Sequence, residues 1–173
     1  MADEPSLLHF QRELTERLSN ARAHPGALGH VGFESANQPL LLPLADVRAI
    51  VMATEFARVP LSDLSFRGLI NFQGELVGVV DPAGWLRQTS SISEIGAKSA
   101  IIVLHKKFGL NAGLLVGRLV GLRDCQKWGR SGVGEAPQWV HSELLDEQGV
   151  RWRVLNVQVL LESLRAREFV PVA

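Results

Sequence analysis

The sequence predicts a mainly β fold built as two small barrels with a helix at each end. Three observations carry this. Short apolar and β-branched runs recur at close spacing, tight-turn residues separate them, and the layout of the first half returns in the second. The chain has 173 residues, 46% hydrophobic and 21% charged, which is enough for one domain or two small fused barrels with a real core.

Taken in order, Ser6 to Arg22 places Leu7, Leu8, Phe10, Leu14 and Leu18 at largely helical spacing among polar residues. Ser6 suits an N-cap and Pro25-Gly26 a stop, so residues 1–29 are expected to hold an amphipathic helix and a linker. Val31 to Ser35 predicts a first strand, turning through Ala36-Asn37-Gln38-Pro39 into Leu40-Leu41-Leu42. One helical turn is expected over Leu44 to Arg48, then extended chain over Ala49 to Met52. Gly68 to Phe72 and Leu76 to Val80 flank Gln73-Gly74-Glu75, the pattern of a tight hairpin, and this hairpin is expected at the centre of the first core. Asp81-Pro82 ends it, because proline gives a ladder no N–H, and a short helical turn is expected through Trp85.

Gln88 to Lys98 is polar and predicts a linker. Strands then follow over Ser99 to Leu104, Leu110 to Val116 and Leu119 to Arg123, an irregular glycine-rich stretch over 126–138, and a hairpin of Trp139 to Leu145 with Val150 to Leu155. Asn156 to Arg167 predicts a closing helix with Val157, Leu160, Leu161 and Leu164 on one stripe. The expected division is thus barrel one over about 30–87, barrel two over about 97–155, the helix over 156–167 and a tail over 168–173.

The chemistry is thin. Lys plus Arg equals Asp plus Glu at 18 each, so net charge is zero and no field draws nucleic acid or an anionic membrane. Cys125 is the sole cysteine, which excludes an internal disulfide; it is expected to be a half-buried, inert thiol in a reducing, cytoplasmic setting. No apolar run approaches the ~20 residues of a membrane span, and no basic-then-apolar leader is present, so a soluble, unprocessed protein is expected. The histidines at 9, 24, 30, 105 and 141 share no ligand spacing, so neither metal nor other cofactor is expected. His141 reads as a surface residue alternating with Trp139 and Glu143. Gly96-Ala97-Lys98-Ser99 imitates the end of a phosphate loop, but Ser91 stands where the upstream glycine belongs. Gly129-Arg130-Ser131-Gly132 is out of register for a nucleophile elbow. Asp81 is expected to cap a turn; a general base is the alternative. Trp139, Trp152, Arg151 and Arg153 would make a base-stacking patch if they shared a face, although Trp152 alternates with its arginines as inward with outward.

Gly68-Leu69-Ile70-Asn71-Phe72-Gln73-Gly74-Glu75-Leu76-Val77-Gly78-Val79-Val80-Asp81 resembles the signature hairpin of the CheW-like family, G-[VI]-x-N-L-R-G-x-[VI]-[VI]-P-[VI]-[IV]-D. Leu42 to Ile50, Ala112 to Val116 with Leu119, and Val154 to Val157 before Leu160-Leu161 resemble further family segments in the same order. The resemblance implies two SH3-like five-stranded barrels without a catalytic centre. It further implies an adaptor between the cytoplasmic tip of methyl-accepting chemoreceptors and the regulatory domain of a CheA-type histidine kinase. Matched residue by residue, the receptor-facing groove would involve Val47, Ile50, Gln73, Leu119 and Leu122. For Val47 and Ile50 the alternative is barrel filling, and for Gln73 plain exposure. The kinase would join barrel to barrel, end to end.

The chain departs from the pattern at Gln73 for arginine, Gly78 for proline, Gly117 for aspartate and Ala49 for an acidic residue. Gln73 removes a fork able to grip a partner carboxylate. These departures, with the N-terminal helix and the tail Phe169-Val170-Pro171-Val172, resemble the PilI-like coupling proteins of type IV pilus twitching systems more than the flagellar ones. A barrel module binding another peptide or nucleic acid, and an enzyme, are the remaining alternatives.

Overall fold

The computed structural model describes residues 29–53, 57, 65–83, 95–132 and 136–166. The N-terminal helix expected over 6–22, most of the turn expected after Pro82, most of the linker and the tail lie outside these residues.

The strands are β1 (His30–Ser35), β2 (Gln38–Pro43), β3 (Val47–Met52), β4 (Phe66–Phe72), β5 (Glu75–Val80), β6 (Ala100–Leu104), β7 (Ala112–Val116), β8 (Arg118–Arg123), β9 (Gly129–Ser131), β10 (Val140–Leu145) and β11 (Arg151–Leu155). Helix α1 (Val157–Ala166) follows the last of them, on the stretch where the closing helix is predicted. Asn156 caps it: its side-chain oxygen accepts from the Val159 N–H at 3.2 Å, and its own N–H donates to the Trp139 carbonyl at 2.8 Å.

Two sheets form. One runs β8-β1-β2-β11-β10-β9, the other β3-β6-β7-β5-β4. Strand pairing therefore groups the chain otherwise than into the halves 30–87 and 97–155: the second sheet holds the middle of the chain and the first its two flanks. Parallel contacts of β5 with β7 and β2 with β11 stitch these distant segments together. Nor are the sheets closed five-stranded barrels among the described residues, since no ladder joins β3 to β4 or β8 to β9.

The reason is the distribution of apolar faces. Side chains alternate across each strand, and on β6 and β7 both faces are buried. Ala100, Ile102, Leu104, Leu114 and Val116 face Val31, Phe33, Leu40 and Leu42 in a core shared by the two sheets, on which Val157, Leu160 and Leu161 of α1 also pack. The alternate residues Ile101, Val103, Leu115, Val77 and Val79 fill a second core on the other face of β6, β7 and β5. Leu41, Trp152 and Val154 make a third beyond the other sheet. The uninterrupted runs of β6 and β7 are buried at every position, which makes these two strands, and not the signature hairpin, the middle of their sheet. Gly113 lies at a close approach there: a Cβ on it would stand 2.8 Å from the stiff Ile101 side chain.

Local expectations change where bulges intervene. The helical turn expected through Arg48 is a single 3-10 turn at Leu44–Asp46, and Val47 and Arg48 already belong to β3. Gly129–Ser131, expected to be irregular, pairs with β10. A register shift between Val140 and Ser142 turns β10, so His141 is exposed whereas Glu143 is buried and paired with Arg153 at 3.0 Å. Trp139 sits in the shared core and Trp152 in the third, so the two make no common stacking patch.

Candidate functional site

Strand β3 begins directly after the 3-10 turn, and its pairing with β6 shifts register between Val47 and Ala49. The shift brings Val47 and Ile50 to the same side although they are three apart. Both lie in the shared core, at 2% and 6% exposure, which is the core-filling alternative for these two residues. Leu119 and Leu122 stand on β8, which among the described residues pairs only with β1. A second register shift, opposite Gly32 and Phe33, puts these two leucines on the rim of the same core, half-buried. The resemblance-derived groove residues are thus brought together in part: two as core and two as its accessible edge.

Gln73 lies apart, at the tip of the β4–β5 hairpin. The two-residue turn puts Gln73 at φ 54° and Gly74 at φ 81°, both left-handed, which is the geometry such a turn demands. The Asn71 side chain accepts from the Gly74 N–H at 2.9 Å and holds the turn. A glutamine in left-handed backbone is uncommon and is kept there by the register of Phe72 against Glu75.

Arg48, from the opposite edge strand, reaches this tip. Its Nη1 donates to Glu75 Oε2 at 2.7 Å, its Nη2 lies 3.4 Å from Gln73 Oε1, and its guanidinium covers the Phe72 ring at 5.1 Å. Lys106 donates to the other oxygen of Glu75. The hydrogen bond from Lys106, then that from Arg48, holds the Glu75 carboxyl below the usual carboxylate range. Beside them Lys107 pairs with Asp46 at 2.6 Å. Sequence reasoning missed Arg48, Glu75 and Lys106 as a group because they are 27 and 31 residues apart in the chain, with no local pattern to join them.

The remaining candidates resolve as structure. Asp81 is buried, accepts from the Ala83 N–H at 2.9 Å and pairs with Arg67 at 3.2 Å, as a turn cap does. Gly96 and Ser99 close a turn on each other, with the Gly96 N–H donating to Ser99 Oγ at 3.0 Å. Among the described residues no group of three or more His, Cys, Asp and Glu could hold a metal ion, and no helix is long and apolar enough to cross a membrane. Burial, then Asp124, pushes the Cys125 thiol up to about 11. Alkylation at pH 8 should accordingly run about 100-fold slower than on an exposed cysteine; labelling at the free-cysteine rate in folded protein would contradict the buried placement.

A CheW-like domain model matches residues 29–165. Among solved structures, the fold is similar to that of the scaffolding protein TtCheW from Thermoanaerobacter tengcongensis, with a TM-score of 0.65 at 19% identity, over 79% of this chain and 89% of that one. No curated protein matches the chain.

Proposed function

The chain belongs to the CheW-like family, and from that footing we propose that it is a non-catalytic adaptor coupling chemoreceptors to a CheA-type histidine kinase, in the system that controls type IV pilus twitching. The observation that carries this reading is the family match over residues 29–165, which takes in both sheets and all of α1 but its last residue. The fold suits the task. An adaptor holds two partners at a fixed geometry, and two sheets bonded through one shared core form a stiff spacer between separate surfaces.

The receptor side is the rim at β8. Leu119 and Leu122 are half-buried there beside a strand edge that pairs with no further strand among the described residues, so a receptor's helical hairpin tip can lay an apolar stripe against them. The kinase regulatory domain joins the other surface through its own related barrel, and the protein works in the cytoplasm, where both partners present these parts. The twitching assignment rests on the departures at Gln73, Gly78, Gly117 and Ala49.

Calorimetric titration of the chain against a receptor cytoplasmic fragment and, separately, against the kinase regulatory region tests the reading. Micromolar binding to each is expected. Leu119→Ala and Leu122→Ala should each weaken the receptor arm by about 1–3 kcal/mol, roughly 5- to 150-fold, while leaving the kinase arm unchanged. A folded chain that binds neither partner would defeat the proposal.

A further inference from the structure

Strand β8 carries its apolar rim where the chain enters the fold. His30 pairs with Arg123 and Val31 with Leu122, so β1 begins beside the rim, one residue before the partner of Leu122. Leu119 and Leu122 are half-buried on the border of the shared core, and β8 pairs with no further strand among the described residues. Gly29 is tied in place there, since its carbonyl accepts from the Leu44 N–H at 3.0 Å. Residues 1–28 therefore join the described fold at a fixed point next to these two leucines.

The sequence of that segment matches the rim. At 100° per residue, Leu7, Phe10, Leu14 and Leu18 fall within about 80° of one another, and His9, Arg12 and Glu16 lie on the opposite side. A stripe this narrow is that of a helix laid along one seam, not of a helix sunk in a core. At strand rise Leu119 and Leu122 are about 10 Å apart, as Leu7 and Leu14 are at helical rise. The stretch from Leu18 to His30 spans up to about 40 Å when extended, so the stripe reaches the rim from its point of attachment.

We propose that residues 6–22 form a helix whose apolar stripe lies on Leu119 and Leu122, covering the rim until the receptor's helical tip displaces it. The displacement rests on the adaptor reading above; the docking itself does not. Tethering favours the segment, because a short linker holds it near the rim at an effective concentration on the order of millimolar, and a weak contact then suffices. The receptor binds only the uncovered fraction of chains. With roughly nine chains in ten covered, apparent receptor affinity falls about 10-fold. The segment thus sets a threshold that a weakly binding tip does not cross.

Hydrogen exchange over β8 and calorimetric titration of the full chain test this. The double variant Leu14→Asp/Leu18→Asp breaks the stripe, and Arg12→Gln/Glu16→Gln alters only the opposite side. The first should exchange faster over β8 with β6 and β7 unchanged, bind the receptor cytoplasmic fragment about 10-fold more tightly, and bind the kinase region as wild type does. The second should match wild type throughout. Equal exchange and equal receptor affinity in wild type and the Leu14→Asp/Leu18→Asp chain overturn the docking and leave the adaptor reading standing. Weaker receptor binding by that variant makes the stripe part of the receptor contact and overturns the competition. Protection of β8 that grows with protein concentration gives the rim to a second copy of the chain and overturns the intramolecular contact. Faster β8 exchange in the variant, with neither chain binding the receptor fragment, upholds the docking and overturns the adaptor reading.

Discussion

Val47→Asp is expected to abolish the cooperative fold, not to weaken one partner selectively. Val47 is 2% exposed and packs in the core shared by the two sheets. An aspartate there would bury a carboxylate in an apolar core, while the neighbouring Arg48 points to the hairpin tip and is engaged by Glu75. The cost is roughly 4 kcal/mol or more, against a total stability of about 5–15 kcal/mol for a domain of ordinary size. Urea unfolding followed by circular dichroism should show either no native baseline or a midpoint displaced far toward zero denaturant. Val47→Ala provides the graded companion, with a loss of about 2 kcal/mol and unchanged affinity for both partners while folded. A Val47→Ala protein of wild-type stability that lost receptor binding would return Val47 to the partner surface.

The second large effect is expected at Asp81. Its carboxylate is 1% exposed, accepts from the Ala83 N–H and pairs with Arg67, itself almost covered. Asp81→Ala removes both the turn cap and the buried ion pair with Arg67, a change that costs about 3–5 kcal/mol. Asp81→Asn keeps an oxygen able to cap Ala83 but loses the ion pair with Arg67, so about half that loss is expected. The two variants separate cap from charge in one set of unfolding curves. Equal stability of both with wild type would mean that the end of β5 is held by other contacts.

Much of the strand content was legible because it rests on local chemistry. Ala36-Asn37 and Gln73-Gly74 are turn residues between apolar runs, and all four adopt left-handed backbone. The apolar runs at 100–104 and 112–116 mark strands buried on both faces. Asp81 beside Pro82 marked a turn cap. The resemblance of residues 68–81 to one family's hairpin pointed to the family that the domain match shows.

The site was less legible, and particular residues show why. Val47 and Ile50 share a face only because a bulge on β3 shifts the alternation by one, and a bulge belongs to the pairing of two strands far apart in sequence. Leu119 and Leu122 share the core rim through a similar shift on β8. Gln73 suggested that the tip had lost its cation, whereas Arg48 restores one across 25 residues of chain.

Strand positions, turns, the closing helix and the absence of local metal-ligand spacing follow from propensity and period, which are properties of neighbouring residues. Which strands pair, and therefore which residues are core and which are rim, follows from long-range closure: β3 pairs with β6 and β1 with β8, and in that arrangement Val47, Ile50, Val31 and Phe33 enter the shared core while Leu119 and Leu122 stay at its rim. The grouping of flanks and middle into two sheets, the burial of Val47 and Ile50, and the meeting of Arg48, Glu75 and Lys106 at the hairpin tip are all decided at that level. No stretch of neighbouring residues carries the energy difference that selects them.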